Sequence, residues 1–278
     1  MTHYSTLSLH SDAGIHTILL NRPDKRNALT PQLISDLTQA LEAAAANRHC
    51  QVVIVSGAGS SFCAGLDLEH LRAMSAGAAS DPHFAATCRA DAENIAVLLR
   101  TLYTLPKPTI AAVNGPAIAG GMGIATLCDF TLAVPEAKFG YTEVRIGFVP
   151  AIVSAFLRTQ IGDKQCRDLV LTGRLIDAAE AASLGLVTRI VREPELMREA
   201  RALAHRLSRN SPAAMEATKR LLTRYTDRFL PDDIEAAILT NVQSRTTEDF
   251  REGIRAFLEK REPEWPSIER TPEAVDHH

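Results

Sequence analysis

Lys107-Pro-Thr-Ile-Ala-Ala-Val-Asn-Gly-Pro-Ala-Ile-Ala-Gly-Gly-Met-Gly123 carries the clearest signal of fold class in the chain. Pro108 to Val113 is a short apolar run with the character of a strand buried on both faces. A glycine-rich turn follows and opens a helix from about Gly121 to Leu127, after which Phe130 to Val134 reads as another buried strand. Upstream, Gln51-Val-Val-Ile-Val-Ser56, bounded by Gly57 and Gly59, has the same character. Such strands belong to parallel sheets with helical crossovers, so the class is α/β.

Working outward, Thr6 to His10 and Ile15 to Leu20 read as strands joined by the turn Asp12-Ala-Gly14. Thr30-Pro31 starts a helix, with threonine as N-cap and proline at the first helical position. Leu68 to Met74 and Phe84 to Tyr103 are further helices, and the small, polar segment Ser75 to Pro82 between them is expected to be mobile. After Val191 the strand signal stops. Leu196, Ala200, Leu203 and Leu207 mark one helix, Ser211-Pro212 caps a second and Pro231 starts a third. Thr246-x-x-Asp249 reads as a capping box ahead of Phe250, Ile254 and Phe257 on one face of a fourth. The expected division is an α/β core over 1–192, an all-helical region over 193–262 and a frayed tail over 263–278.

The chain has 278 residues, 46% of them hydrophobic and 23% charged, which is an ordinary globular balance and excludes a disordered or low-complexity scaffold. Its 33 acidic and 30 basic residues leave a net charge of −3, which gives no reason to expect a nucleic-acid partner or an anionic membrane. Five cysteines, widely spaced and without a Cys-x-x-Cys pair, read as reduced thiols rather than as a disulfide framework or a metal site. The apolar stretch from Thr109 to Val134 is broken by Asn114, Pro116, Asp129 and several glycines, so it does not read as a membrane span. The N-terminus lacks a basic patch followed by an apolar run, so no secretory signal is expected and the chain is placed in the cytoplasm.

Val53-Ile-Val-Ser-Gly57-x-Gly59 invites a dinucleotide-binding reading, but Phe62 stands at the third glycine position and the next helix starts too late. Two other turns carry more. Ser61-Phe-Cys-Ala-Gly65-Leu-Asp67-Leu68 and Val113-Asn-Gly115-Pro-Ala-Ile-Ala-Gly120-Gly121 each follow a buried strand and open a helix. Unpaired backbone N–H groups at a helix start suit a developing oxyanion, and glycine lets a ligand approach the main chain closely.

With their surroundings these turns resemble the crotonase superfamily, the enoyl-CoA hydratase/isomerase family. The resemblance runs from Asn21-Arg-Pro-Asp-Lys-Arg-Asn-Ala-Leu29 through Phe62-Cys-Ala-Gly-Leu-Asp-Leu68, Lys107 to Gly115, Cys128-Asp129 and Phe139-Gly-Tyr-Thr-Glu-Val-Arg-Ile-Gly147. It continues with Leu171-Thr-Gly-Arg174, Ala181-x-x-Leu-Gly-Leu-Val187 and Glu252-Gly-Ile-Arg-Ala-Phe-Leu-Glu-Lys-Arg261. It implies a crotonase-like spiral of ββα units, trimerisation through the helical region to a homotrimer or a hexamer of two trimers, and an acyl-CoA thioester substrate. It implies no metal and no separate cofactor, CoA being part of the substrate.

On this sequence the family's oxyanion donors fall on the N–H groups of Leu66 and Gly120. Contacts to CoA fall on Ala64, Asp67 and Leu68 for the adenine, on Lys25 or Arg26 for the phosphates, and on Phe257 and Lys260, supplied by a neighbouring subunit, for the closure over the nucleotide. Asp67 also has a reading as the cap of the following helix, and Tyr141 as a hydroxyl near the acyl group. Hydratases of the family carry two glutamates. Here Glu143 is present, but Gly123 occupies the other position, so the second acid–base group is lost. A single carboxylate suffices for a Δ3,Δ2-enoyl-CoA isomerase, which moves a proton from C2 to C4, and that is the expected chemistry. The alternatives are a hydratase or lyase working with one glutamate, and an acyl-CoA-binding protein of the same fold without catalysis.

Overall fold

The computed structural model describes residues 4–77 and 83–268. β1 (Leu7–Asp12) and β2 (Ile15–Leu20) form an antiparallel hairpin, turned at Ala13 and Gly14, both with positive φ. α1 (Pro31–Ala46) starts where the sequence indicates: the Thr30 hydroxyl accepts from the Leu33 N–H at 3.2 Å. β3 (Val52–Gly57), α2 (Leu68–Gly77), α3 (Phe84–Thr104), β4 (Thr109–Val113), β5 (Ala117–Ile118), α4 (Gly120–Leu127), β6 (Phe130–Ala133) and β7 (Lys138–Gly140) follow. Then come α5 (Ala151–Thr172), broken at Gly162, β8 (Ile176–Asp177), α6 (Ala178–Ser183) and β9 (Arg189–Ile190). The chain closes with α7 (Leu196–Ser208), α8 (Pro212–Thr226), α9 (Leu230–Ser244) and α10 (Glu248–Glu259).

The main sheet has six strands in the order β1-β2-β3-β4-β6-β9, and every pairing after the first hairpin is parallel. In its centre Ile54 sits between Thr17 and Ile110, and the side chains of Val52 to Val55 are all buried. α7 packs on β3 and β4, which is why these strands are apolar on both faces rather than alternating. A second sheet, β5-β7-β8, is built from strands of two or three residues. Leu196, Leu203, Ile234 and Ile238 from the C-terminal helices share one apolar core with the sheet.

The fourth C-terminal helix differs from its expected start. The cap of α10 is Thr247, whose hydroxyl accepts from the Phe250 N–H at 3.1 Å, not Thr246. Part of the expected tail is held: Glu264 N–H donates to Glu252 at 2.9 Å and Ser267 N–H to Asp249 at 3.0 Å. Residues 269–278, including the final histidines, lie outside the described residues, as do 78–82 of the segment expected to be mobile; its first residues belong to the last turn of α2. All five cysteines are buried and unpaired, and among the described residues no helix is long and apolar enough to cross a membrane.

α10 folds back onto its own chain, against α2 and a 3-10 turn, Glu143–Ile146. The approach is backbone to backbone. A Cβ at Gly253 would lie 2.3 Å from the Ile146 carbonyl carbon, and one at Gly147 2.3 Å from the Asp249 oxygen. Around this seam Leu71, Phe148, Phe250 and Ile254 form a small core of their own. Gly253→Ala forces the two backbones apart and is expected to lower stability by about 1–3 kcal/mol, as overpacking does. Urea unfolding against the wild type measures it; an unchanged midpoint would show that the seam yields freely.

Candidate active site

The loop 21–29 is pinned by one side chain. Asn27, at positive φ, accepts from the Arg22 N–H at 2.8 Å and donates to the Ala58 and Ser61 carbonyls at 2.9 and 2.8 Å. Arg22 pairs with Asp67 at 3.3 Å, and Asp67 accepts from the Glu69 N–H at 3.1 Å. Asp67 therefore joins this loop to the start of α2, the capping role read from the sequence.

Leu66 pairs with Leu29 as a parallel bridge in which Leu29 uses its neighbours: Leu29 N–H bonds to Gly65 and Leu29 C=O to Asp67. The Leu66 N–H consequently points to the other side, where a cavity lies. Gly120 is the first residue of α4, so its N–H has no acceptor within the helix. Among the described residues neither N–H has a backbone acceptor. Ala119 precedes it at φ 52°, ψ −123°, an unfavourable conformation for a side-chain-bearing residue. It is held there by an N–H bond to Gly140 at 2.7 Å. The two turns touch: a Cβ on Gly65, itself at φ 85°, would lie 2.8 Å from that of Ala119, and one on Gly121 would lie 2.3 Å from the Cys63 oxygen. Glycine at these two positions permits the approach.

The cavity has a volume of about 650 Å³. Of the residues read from the sequence, Lys25, Arg26, Ala64, Leu66, Asp67, Leu68, Gly120, Glu143 and Phe257 all line it. Lys25 is paired with Glu69 at 3.2 Å, whereas the exposed Arg26 guanidinium has no carboxylate partner among the described residues. This chain's own Phe257 lines the cavity from α10, which the glycine seam holds against the 3-10 turn; the expected contribution of a neighbouring subunit concerns an assembly of several chains. Lys260, the left-handed C-cap of α10, is exposed and does not line the cavity. Tyr141 is also absent from the lining; it is buried with its hydroxyl turned to Thr126.

Glu143 opens the 3-10 turn and is 8% exposed. Its Oε2 has no hydrogen-bond partner. Burial pushes the carboxyl up from 4.5 to about 7, opposed only by its own backbone N–H. Its position is fixed through the main chain: its carbonyl accepts from the Phe148 N–H at 3.1 Å, and the Phe148 ring lies 5.4 Å from that of Phe250 on α10.

Gly123 lies on α4 with no lining contact. A Cβ there would lie 2.9 Å from Val153 Cγ1 and 3.6 Å from Leu99. Val153 and Leu99 thus take up the space that a side chain at 123 would enter. Val153 and its neighbours at the start of α5 form a cavity wall that the sequence reading did not include, although Ile152, Val153, Phe156 and Leu157 repeat at helical spacing. Asn241 of α9 is a second addition to the lining, from a helix read only for its start.

The family model described as enoyl-CoA hydratase/isomerase matches residues 10–268. A Thermus thermophilus protein named as an enoyl-CoA hydratase is 42% identical over 249 residues, covering 90% of this chain and 96% of that one. The 2,3-dehydroadipyl-CoA hydratase of Escherichia coli is 33% identical over 262 residues, covering 94% and 98%. Among solved structures, an enoyl-CoA hydratase/isomerase from Xanthobacter autotrophicus superposes with a TM-score of 0.82 at 30% identity, covering 93% of this chain and 97% of its own. An enoyl-CoA hydratase from Bacillus halodurans gives 0.84 at 26%, covering 91% and 100%.

The raised Glu143 carboxyl has a thermodynamic signature. Between pH 4.5 and about 7 the unfolded chain releases this proton while the folded chain keeps it. The group's contribution to stability is full below that window and is lost as pH rises through it. Glu143→Gln cannot ionise, so its stability relative to the wild type is expected to grow from pH 4.5 to about 7 and then level off. Urea unfolding at stepped pH measures the difference; a flat one would mean that Glu143 titrates as an ordinary carboxylate.

Proposed function

Since the chain belongs to the enoyl-CoA hydratase/isomerase family, we propose that it moves a proton on an enoyl-CoA thioester with Glu143 as the single base and the Leu66 and Gly120 N–H groups as oxyanion donors. The observation that carries this reading is one unpartnered carboxylate, raised to about 7, lining a cavity whose wall includes Val153, the side chain that would meet any Cβ at position 123. In a Δ3,Δ2 shift, ionised Glu143 takes a proton from C2 of a 3-enoyl thioester. The electron pair left behind spreads onto the thioester oxygen, between the two N–H groups. Glu143 then returns the proton at C4, and the double bond settles between C2 and C3. A base near pH 7 is matched to this work, since it both accepts and releases the proton readily. Arg26 at the rim offers a cation for phosphate, and Ala64, Leu68 and Phe257 offer the surface for the nucleotide.

A second reading has its own support. The relatives from Thermus thermophilus and Escherichia coli are both named hydratases. In that reading Glu143 alone activates the water that adds at C3 and afterwards protonates C2.

Assembly belongs to the same proposal. No residue of α8 is buried, and Leu221, Leu222, Tyr225 and Phe229 are all more than half exposed. We place this face in the contact of a homotrimer, or of a hexamer made from two. Sedimentation is expected to give three or six chain masses; monomer alone at micromolar concentration would oppose it.

The chemistry is tested with a 3-enoyl-CoA and crotonyl-CoA as paired substrates. The wild type is expected to isomerise the first faster than it hydrates the second, and Glu143→Gln to lose ~10²–10⁴ of turnover with CoA-ester affinity kept. Fast hydration by the wild type would favour the second reading, and equal turnover by Glu143→Gln would leave a binding protein. Gly123→Glu together with Val153→Ala makes room for a second carboxylate, and is expected to raise the ratio of hydration to isomerisation.

A further inference from the structure

The cavity wall built by α3, α5 and α9 is apolar where Ile95, Ile152 and Val153 form it, with one polar side chain, Asn241. Asn241 is 4% exposed. Its orientation is fixed from behind. Arg245, one helical turn later and fully buried, donates its Nε–H to the Asn241 oxygen at 3.0 Å. A guanidinium only donates, so the atom facing it must be Oδ1, and the amide nitrogen is turned the other way. Arg245 cannot relax from this position. It pairs with Asp91 at 2.7 Å and lies over the Phe148 ring at 5.3 Å from its centre.

The Asn241 NH₂ has no acceptor among the described residues, and Asn241 lines the cavity. That donor is open to the cavity rather than sealed in the core, so a ligand oxygen seated there can take the place of water on it. The charge-assisted bond on Oδ1 also polarises the amide and makes its N–H groups better donors. Resting on the reading of this cavity as an acyl-CoA site, we infer that Asn241 donates to an oxygen carried by the acyl chain, a keto or carboxylate oxygen. The preferred substrate class is then an acyl-CoA whose chain is oxygenated beyond the reacting carbons, rather than a plain alkyl thioester. Asn241 is a specificity residue in this assignment and takes no part in the proton transfer.

Saturated thioesters test this without reference to the reaction. Calorimetry compares, from four to eight acyl carbons, an alkyl-CoA with its ω-carboxylate and its keto counterparts, and with free CoA. The expected result is that at least one oxygenated thioester binds the wild type ~10–100-fold tighter than the alkyl chain of equal length. Asn241→Asp keeps the acceptor that Arg245 needs and replaces only the donor by an oxygen. It should erase that preference while alkyl affinity stays within about threefold. Asn241→Leu, checked by thermal melting, should erase it as well. If the wild type binds alkyl and oxygenated chains alike at every length, or if Asn241→Asp keeps the preference, the inference is overturned. Failure of every thioester to exceed free CoA would instead overturn the acyl-CoA reading itself, and this assignment with it. The keto and carboxylate arms separate a neutral from an anionic acceptor.

Discussion

The Glu143 carboxylate is held out of water, with burial as the cause of its raised proton affinity, and the packing around it is arranged to keep it there. Burial alone sets the proton affinity of Glu143, since nothing but its own N–H opposes the shift. That state is unfavourable above pH 7 and persists only if the surrounding structure over-determines it. The 3-10 turn that carries Glu143 is closed by its carbonyl bond to Phe148, backed by Phe250, and clamped by α10 through two glycine contacts. Charge burial in the cavity is thus paid by apolar packing outside it.

The two glycine turns rest on a comparable balance. Ala119 adopts a backbone conformation that a Cβ disfavours, and its neighbours Gly65 and Gly121 leave no room for side chains of their own. Two loops from separate crossovers are locked against one another, one by Asn27 and one by the Gly140 carbonyl. The Leu66 and Gly120 N–H groups are therefore fixed before any ligand arrives. Preorganised donors of this kind act without reorganisation when charge develops.

How much of this was legible in the sequence follows from the range of the interactions involved. β3 and β4 announce themselves because strands covered on both faces must be apolar throughout, and Thr30-Pro31 because its cap bond is made three residues away. The strands of the second sheet are two or three residues long, too short to hold a period. Thr246 and Thr247 are adjacent and chemically alike, so only the observed bond from the Phe250 N–H identifies Thr247 as the cap. Glu143, Leu66 and Gly120 are recognisable from motifs, but Val153 and Asn241 reach the cavity only through the packing of α5 and α9. Phe257 comes to the cavity through the same long-range seam, which no local pattern encodes.

Gly123 and Val153 belong to the constraint on Glu143 as much as to the wall. Were a carboxylate at 123 to enter the cavity, two like charges would share an apolar site. One proton would then be held between them, and the pair would titrate as a unit. With glycine at 123 and Val153 Cγ1 against it, Glu143 titrates alone and near neutrality. On the proposed reading, a lone carboxylate at that poise is suited to removing a proton from one carbon and giving it back two carbons along. It is less suited to binding water and delivering its two parts to different carbons, which calls for two groups held in opposite protonation states. On the proposed reading, glycine at 123 and the packing against it therefore act on the chemistry in the same direction, through the proton affinity of a residue neither of them replaces.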